Sequence, residues 1–98
     1  MNRNRKQETG LRHQVFERDS YTCVLCSRPA SDIHHLISRA QGGLNAPTNL
    51  VSLCRIHHDL VHGRQWIGVE LAVDDAIQAV TEYVHDYYAA YFEQWGGW

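Results

Sequence analysis

The sequence predicts a small α+β domain, and three observations carry that reading. Its 98 residues suffice for one modest core, burying roughly 60 to 68% of the unfolded surface. Two short β-prone runs, 33–37 and 50–53, precede a helix-prone segment closed by Gly63. Five of the seven histidines cluster there, in DIHHLISRAQGG at 32–43 and LCRIHHDLVHG at 53–63.

In chain order, residues 1–10, MNRNRKQETG, read as a basic tail with no apolar run for a signal peptide or a membrane span. A cytoplasmic protein is expected. LRHQVFER at 11–18 sets Leu11, Val15 and Arg18 along one helical face, predicting a short helix before a turn at Asp19-Ser20. Ile33 to Ile37 predicts a strand ended by the Gly42-Gly43 loop. After Pro47-Thr48-Asn49 comes a second strand, Leu50 to Leu53, then a helix from about Arg55 to His62. Beyond it Ile67, Val69, Leu71 and Val73 alternate as in a strand, and Asp74 suits the N-cap of a helix running to about Trp95. On that helix Ile77, Val80, Val84, Tyr87, Tyr91 and Trp95 form a stripe that either packs on the core or makes a dimer seam or docking face. Tyr83, Tyr88, Phe92 and Trp98 lie off the stripe and favour a partner contact.

Charge divides the chain after Arg64. Residues 1–64 hold all nine Lys and Arg against five acids, a net +4, and residues 65–98 hold six acids and no base, a net −6. One half is thus suited to face a polyanion, although the acids also serve simply to solvate a helix.

Three cysteines cannot all pair with one another, and in a reducing compartment Cys23-x-x-Cys26 and Cys54 read as metal thiolates. Adjacent helical residues diverge by about 100°, whereas residues four apart share a face, so His57 and His58 serve different sites and His58 pairs with His62. His57 follows Cys54 by three and completes a Cys23, Cys26, Cys54, His57 set: two short-spaced pairs separated by 27 residues, the pattern of a structural Zn²⁺ site. His34 and His35 project to opposite faces of a strand, so one of them ligates with His58 and His62 while the other stays unligated. An unligated imidazole beside a metal is the combination that phosphodiester hydrolysis needs.

At these residues the sequence resembles the HNH nucleases, the His-Me finger group with a ββα-metal motif. The resemblance runs from about Arg12 to Gly63 through RD-x-Y-x-C-x-x-C, HH...GG...NL and LC-x-x-H-H. It implies a nuclease core over 11–64 with a zinc knuckle, followed by a strand and an acidic aromatic helix over 65–98 that belongs to the same domain or docks a partner. It also implies His35 as general base, Asn49 as the residue that hydrogen-bonds backbone and holds the histidine loop, and His58 as a ligand of the catalytic metal. Many members carry Asp before the base; His34 stands there instead, and with His62 the pattern is similar to the H-H-N-H-H pattern of colicin-type DNases. Three imidazoles favour Zn²⁺, Ni²⁺, Co²⁺ or Mn²⁺, and members also use Mg²⁺. The resemblance further implies DNA as partner and a bacterial or phage-infected host. Arg39, in the loop after the histidine strand, and more weakly Arg64 are candidate phosphate contacts, although either, and Arg64 above all, also serves as a solvated surface charge. Arg3, Arg5 and Lys6 suit sequence-independent backbone affinity, and with no base-reading element in the sequence weak specificity is expected. Small stand-alone members resemble phage proteins that act beside the DNA-packaging terminase, which makes a terminase-like protein a second expected partner. A zinc-stabilised nucleic-acid-binding or adaptor module is the alternative, and it leaves His34, His35, Asn49, His58 and His62 without a reason.

Overall fold

The computed structural model describes the backbone of residues 3–95 and the side chains of residues 9–90. Helix α1 spans Arg3–Arg18, strand β1 Asp32–His35, strand β2 Leu50–Leu53, helix α2 Arg55–Val61 and helix α3 Val73–Trp95. The two strands are antiparallel, with Asp32 opposite Leu53, Ile33 opposite Ser52, His34 opposite Val51 and His35 opposite Leu50. Among the described residues this α+β arrangement has one two-stranded sheet. No helix among them is long and apolar enough to cross a membrane.

One core joins the layers. Val51, Leu53, Leu60 and Val61 from β2 and α2 pack against Ala76, Val80 and Val84 of α3, which recur every four residues and so share one face. Leu50 and Val15 are buried as well. Gly63, at φ 86°, ends the α2 segment in the left-handed region that a side chain resists.

A buried ion pair ties α1 to the rest. Arg18 Nε and Nη2 donate to the two oxygens of Asp19 at 2.7 and 2.9 Å. Nη1 donates to Pro47 O and Tyr88 Oη at 2.8 and 3.3 Å, and Nη2 also to Leu50 O at 2.8 Å, so every guanidinium N–H is used. Asp19 accepts further bonds from the Tyr83 hydroxyl at 2.6 Å and from Ser52 N–H at 2.9 Å. Burial alone would raise the Asp19 carboxyl, but the bonds from Arg18 and Tyr83 outweigh it and hold the group below its ordinary value.

Four expectations need correction. No strand forms over 67–73: Gly68 at φ 87° breaks the extended run, Ile67 is fully exposed, and the Gln65 amide donates to Val69 O at 2.8 Å where a strand partner would have. Helix α1 begins at Arg3 rather than near Leu11, because a run of Arg, Lys, Gln and Glu forms helix readily without an apolar period to reveal it. The buried face of α3 is rotated from the predicted stripe, leaving Ile77 and Tyr87 over 40% exposed, since Ala76 gives no apolar signal of its own. Tyr83 and Tyr88, expected to face a partner, instead serve the Arg18–Asp19 pair. The side chains of Tyr91, Phe92, Trp95 and Trp98 lie outside the described residues, as do those of Arg3, Arg5 and Lys6.

Candidate metal centres and the histidine cleft

The first cluster is built by a turn and a helix start. Cys23 N–H donates to Arg28 O at 2.7 Å and Ser27 N–H to Cys23 O at 2.9 Å, curling 23–28 so that both knuckle sulfurs face inward. Val24 N–H donates to Ser52 O at 3.2 Å and anchors the knuckle on β2. Cys54 stands at the N-cap of α2, and His57 lies one turn on. The result is four ligand atoms, from Cys23, Cys26, Cys54 and His57, all within 4.8 Å of one another. Cys26 Sγ and Cys54 Sγ are 3.8 Å apart, Cys23 Sγ and His57 Nδ1 3.8 Å, and Cys54 Sγ and His57 Nδ1 3.3 Å. Bonds of about 2.3 Å to sulfur and 2.0 Å to nitrogen at tetrahedral angles give edges of roughly 3.5 to 3.8 Å. The donor set therefore fits a structural ion such as zinc. Burial pushes the Cys23 thiol up to about 11, against backbone amides of Cys54, Leu25 and Cys26 that favour its thiolate, the form a bound cation would stabilise. Burial and then the Arg28 charge lower His57, which keeps its ring neutral for ligation.

The second cluster lies across β1 and α2. His34, His58 and His62 also place their ligand atoms within 4.8 Å of one another. His58 Nε2 and His62 Nε2 are 3.2 Å apart. Two imidazole nitrogens bound at 2.0 to 2.1 Å sit roughly 2.9 to 3.4 Å apart, so this set too fits one divalent ion. Burial first, then the His58, His62 and His35 charges, push His34 down to about 4, the neutral form that a metal takes. Burial likewise lowers His62, helped by His58 and Arg64. Three protein ligands, with His62 exposed, leave open positions of the kind catalytic sites keep.

Asp32 was not singled out from the sequence. Its Oδ2 lies 2.7 Å from His58 Nδ1, which donates to it and leaves Nε2 free for a metal. Ser31 Oγ donates to its other oxygen at 2.8 Å, and Arg55 Nη2 lies 3.3 Å away. Burial works to raise this carboxyl, but His58, Ser31 and Arg55 together hold it below its ordinary value. An aspartate two residues before a histidine carries no sequence signal, because its partner lies 26 residues away. Asp32→Ala should weaken the affinity of this cluster for Mn²⁺ or Ni²⁺ by about 10- to 100-fold. Competition titration against a chelating dye measures it, and an unaltered affinity would contradict the role.

His35 points elsewhere. It lines a small cleft of about 130 Å³ with Arg12, Arg39 and Asn45, and its Nε2 lies 2.7 Å from Asn45 Oδ1. Asn49 is buried and staples the loop between the strands: its Nδ2 donates to Ile37 O at 3.0 Å and Leu44 O at 2.9 Å, and its Oδ1 accepts from Ile37 N–H at 2.9 Å. That last bond ends β1 at His35 rather than Ile37, because the Asn49 amide replaces the strand partner. Gly43 is required here, since a Cβ would sit 1.8 Å from Ile37 O. Arg39 lines the cleft, while Arg64 is 3.5 Å from Asp59 and does not line it.

Strand β1 and the α2 segment thus bring three histidines together around an open position, on a two-stranded antiparallel sheet followed by a helix, an arrangement that could hold a metal ion. Residues 23–64 match the model of the HNH endonuclease family, so this stretch is similar to that family, generally one of nucleases. Over 43 residues the chain is 42% identical to the uncharacterized protein YdfU of Escherichia coli (strain K12), a stretch covering 41% of this chain and 12% of that relative. No solved structure gives a significant match.

Proposed function

We propose that this protein is a metal-dependent endonuclease that hydrolyses DNA phosphodiester bonds with weak sequence specificity. The observation that carries the reading is the division of neighbours: His34 joins His58 and His62, while His35 is left out of the cluster and faces a cleft with two arginines. A divalent ion held by His34, His58 and His62 would act as Lewis acid on the scissile phosphate and the 3′ leaving oxygen. His35 takes the proton of the attacking water as general base. Asn49 holds the loop that shapes the cleft, and Arg39 meets the phosphate. Arg3, Arg5 and Lys6 on α1 add sequence-independent backbone affinity, and Arg64 at most assists. A setting beside phage DNA packaging, with a second copy or a terminase-like partner on the outer face of α3, rests on the family resemblance alone.

Supercoiled plasmid incubated with the protein and Mg²⁺, Mn²⁺, Ni²⁺ or Zn²⁺ should be nicked, and EDTA should stop it. Absence of metal-dependent nicking would favour the adaptor reading. His35→Ala should lower the rate by about 100- to 10,000-fold while both clusters still bind metal. A variant cutting at near-normal rates would remove His35 from the mechanism.

A further inference from the structure

We infer that Asn45 is the positioning residue for His35, fixing which ring nitrogen is left to accept a proton. The inference rests on the nuclease reading for its catalytic consequence but not for its geometry. Asn45 Oδ1 lies 2.7 Å from His35 Nε2. In this orientation the amide oxygen can only accept, which puts the ring hydrogen on Nε2 and leaves the lone pair on Nδ1. Asn45 is itself an exposed loop residue, yet the backbone on both sides is pinned by one side chain and its amide. Asn49 Nδ2 donates to Leu44 O at 2.9 Å, and Asn49 N–H donates to Ala46 O at 2.8 Å. The close approach at Gly43 fixes the loop one residue further back. The buried asparagine thus reaches His35 through the exposed one.

The arrangement parallels that of His58, whose Nδ1 is held by Asp32 so that Nε2 is free. At His35 the roles of the two nitrogens are exchanged, and the partner is a neutral amide. In the reaction, a proton leaves water for His35 Nδ1, the water oxygen bonds to phosphorus, and the bond from phosphorus to the 3′ oxygen breaks. The leaving oxygen gains a proton from solvent, and the Nε2–H stays with Asn45 throughout.

The alternative amide orientation would have Asn45 Nδ2 donate to Nε2 and move the ring hydrogen to Nδ1, so the two orientations give opposite tautomers. Long-range ¹H–¹⁵N correlation spectra of the folded, zinc-loaded protein distinguish them, with the His35 signals assigned by their loss in His35→Ala. The Nε2–H form is expected in wild type, and the Nδ1–H form would overturn the assignment. Asn45→Ala should lower kcat for plasmid nicking by up to about 100-fold with KM little changed, because orientation and not DNA binding is lost. Asn45→Asp, which still accepts and cannot donate, should restore both the tautomer and most of kcat. Equal loss in the two variants, or unaltered kcat in Asn45→Ala, would overturn the positioning role. If wild-type protein cut nothing yet showed the Nε2–H form, the nuclease reading and the catalytic consequence would fall while the Asn45–His35 contact stood.

Discussion

Replacing His57 with alanine should leave a chain without its structural zinc and without a stable fold. His57 Nδ1 lies 3.3 Å from Cys54 Sγ and 3.8 Å from Cys23 Sγ, so its removal opens one corner of a closed tetrahedron. Structural zinc contributes about 10 to 16 kcal/mol in small peptides. A domain of this size holds a net stability of only about 5 to 15 kcal/mol, so weakening that one site is enough to unfold it. The cysteines also form part of the core: Cys23 and Cys54 pack with Val51, Leu53 and Leu60, so three thiols left without an ion weaken the knuckle and the core together. Elemental analysis and thermal melts should show zinc loss and a collapse of the transition together. His57→Cys, which supplies a fourth thiolate at the same helical position, should keep both the metal and the fold. A zinc-free His57→Ala protein that still melts like wild type would show that the cluster is not structural.

Asp19→Ala should cost about 3 to 5 kcal/mol, far more than a surface charge would. The side chain is fully buried, and removing it leaves the Arg18 guanidinium, itself only 5% exposed, without its counter-ion. The Tyr83 hydroxyl and Ser52 N–H lose their acceptor in the same step. Denaturant midpoints compare the variant with wild type, and a change under 1 kcal/mol would contradict the role. Acid gives the sign independently. The Asp19 carboxyl is lowered in the folded protein, so its contribution is complete above the unfolded value of about 3.9 and is lost as pH falls through the lower folded value. The gap in stability between wild type and Asp19→Asn should therefore be widest near neutrality and narrow below about pH 4, whatever acid does to the metal clusters in both.

Much of the site was legible because its signals are local. Cys23-x-x-Cys26 and Cys54-x-x-His57 are turn and helix spacings, and the 100° step between helical neighbours separates His57 from His58 without reference to the rest of the chain. The strand at 50–53 and the helix ending at Gly63 are written in the same short-range terms. What stayed hidden depends on distance along the chain. Arg18 meets Tyr88 across 70 residues and Asp32 meets His58 across 26, and neither pair leaves a spacing to read. The alternation at 67–73 misled for the related reason that a strand needs a partner, and the sheet among the described residues ends at two.

The two histidine neighbours of α2 fall in different clusters, and plasmid nicking by His58→Ala tests most directly whether they do different work. His58 belongs to the open cluster with His34 and His62 and takes no part in the Cys₃His set. The expected result is a folded protein that keeps its structural zinc and its melting transition, and whose metal-dependent plasmid nicking is lost. Nicking at wild-type rates, or loss of the structural zinc together with the fold, would contradict the assignment of the two metal centres.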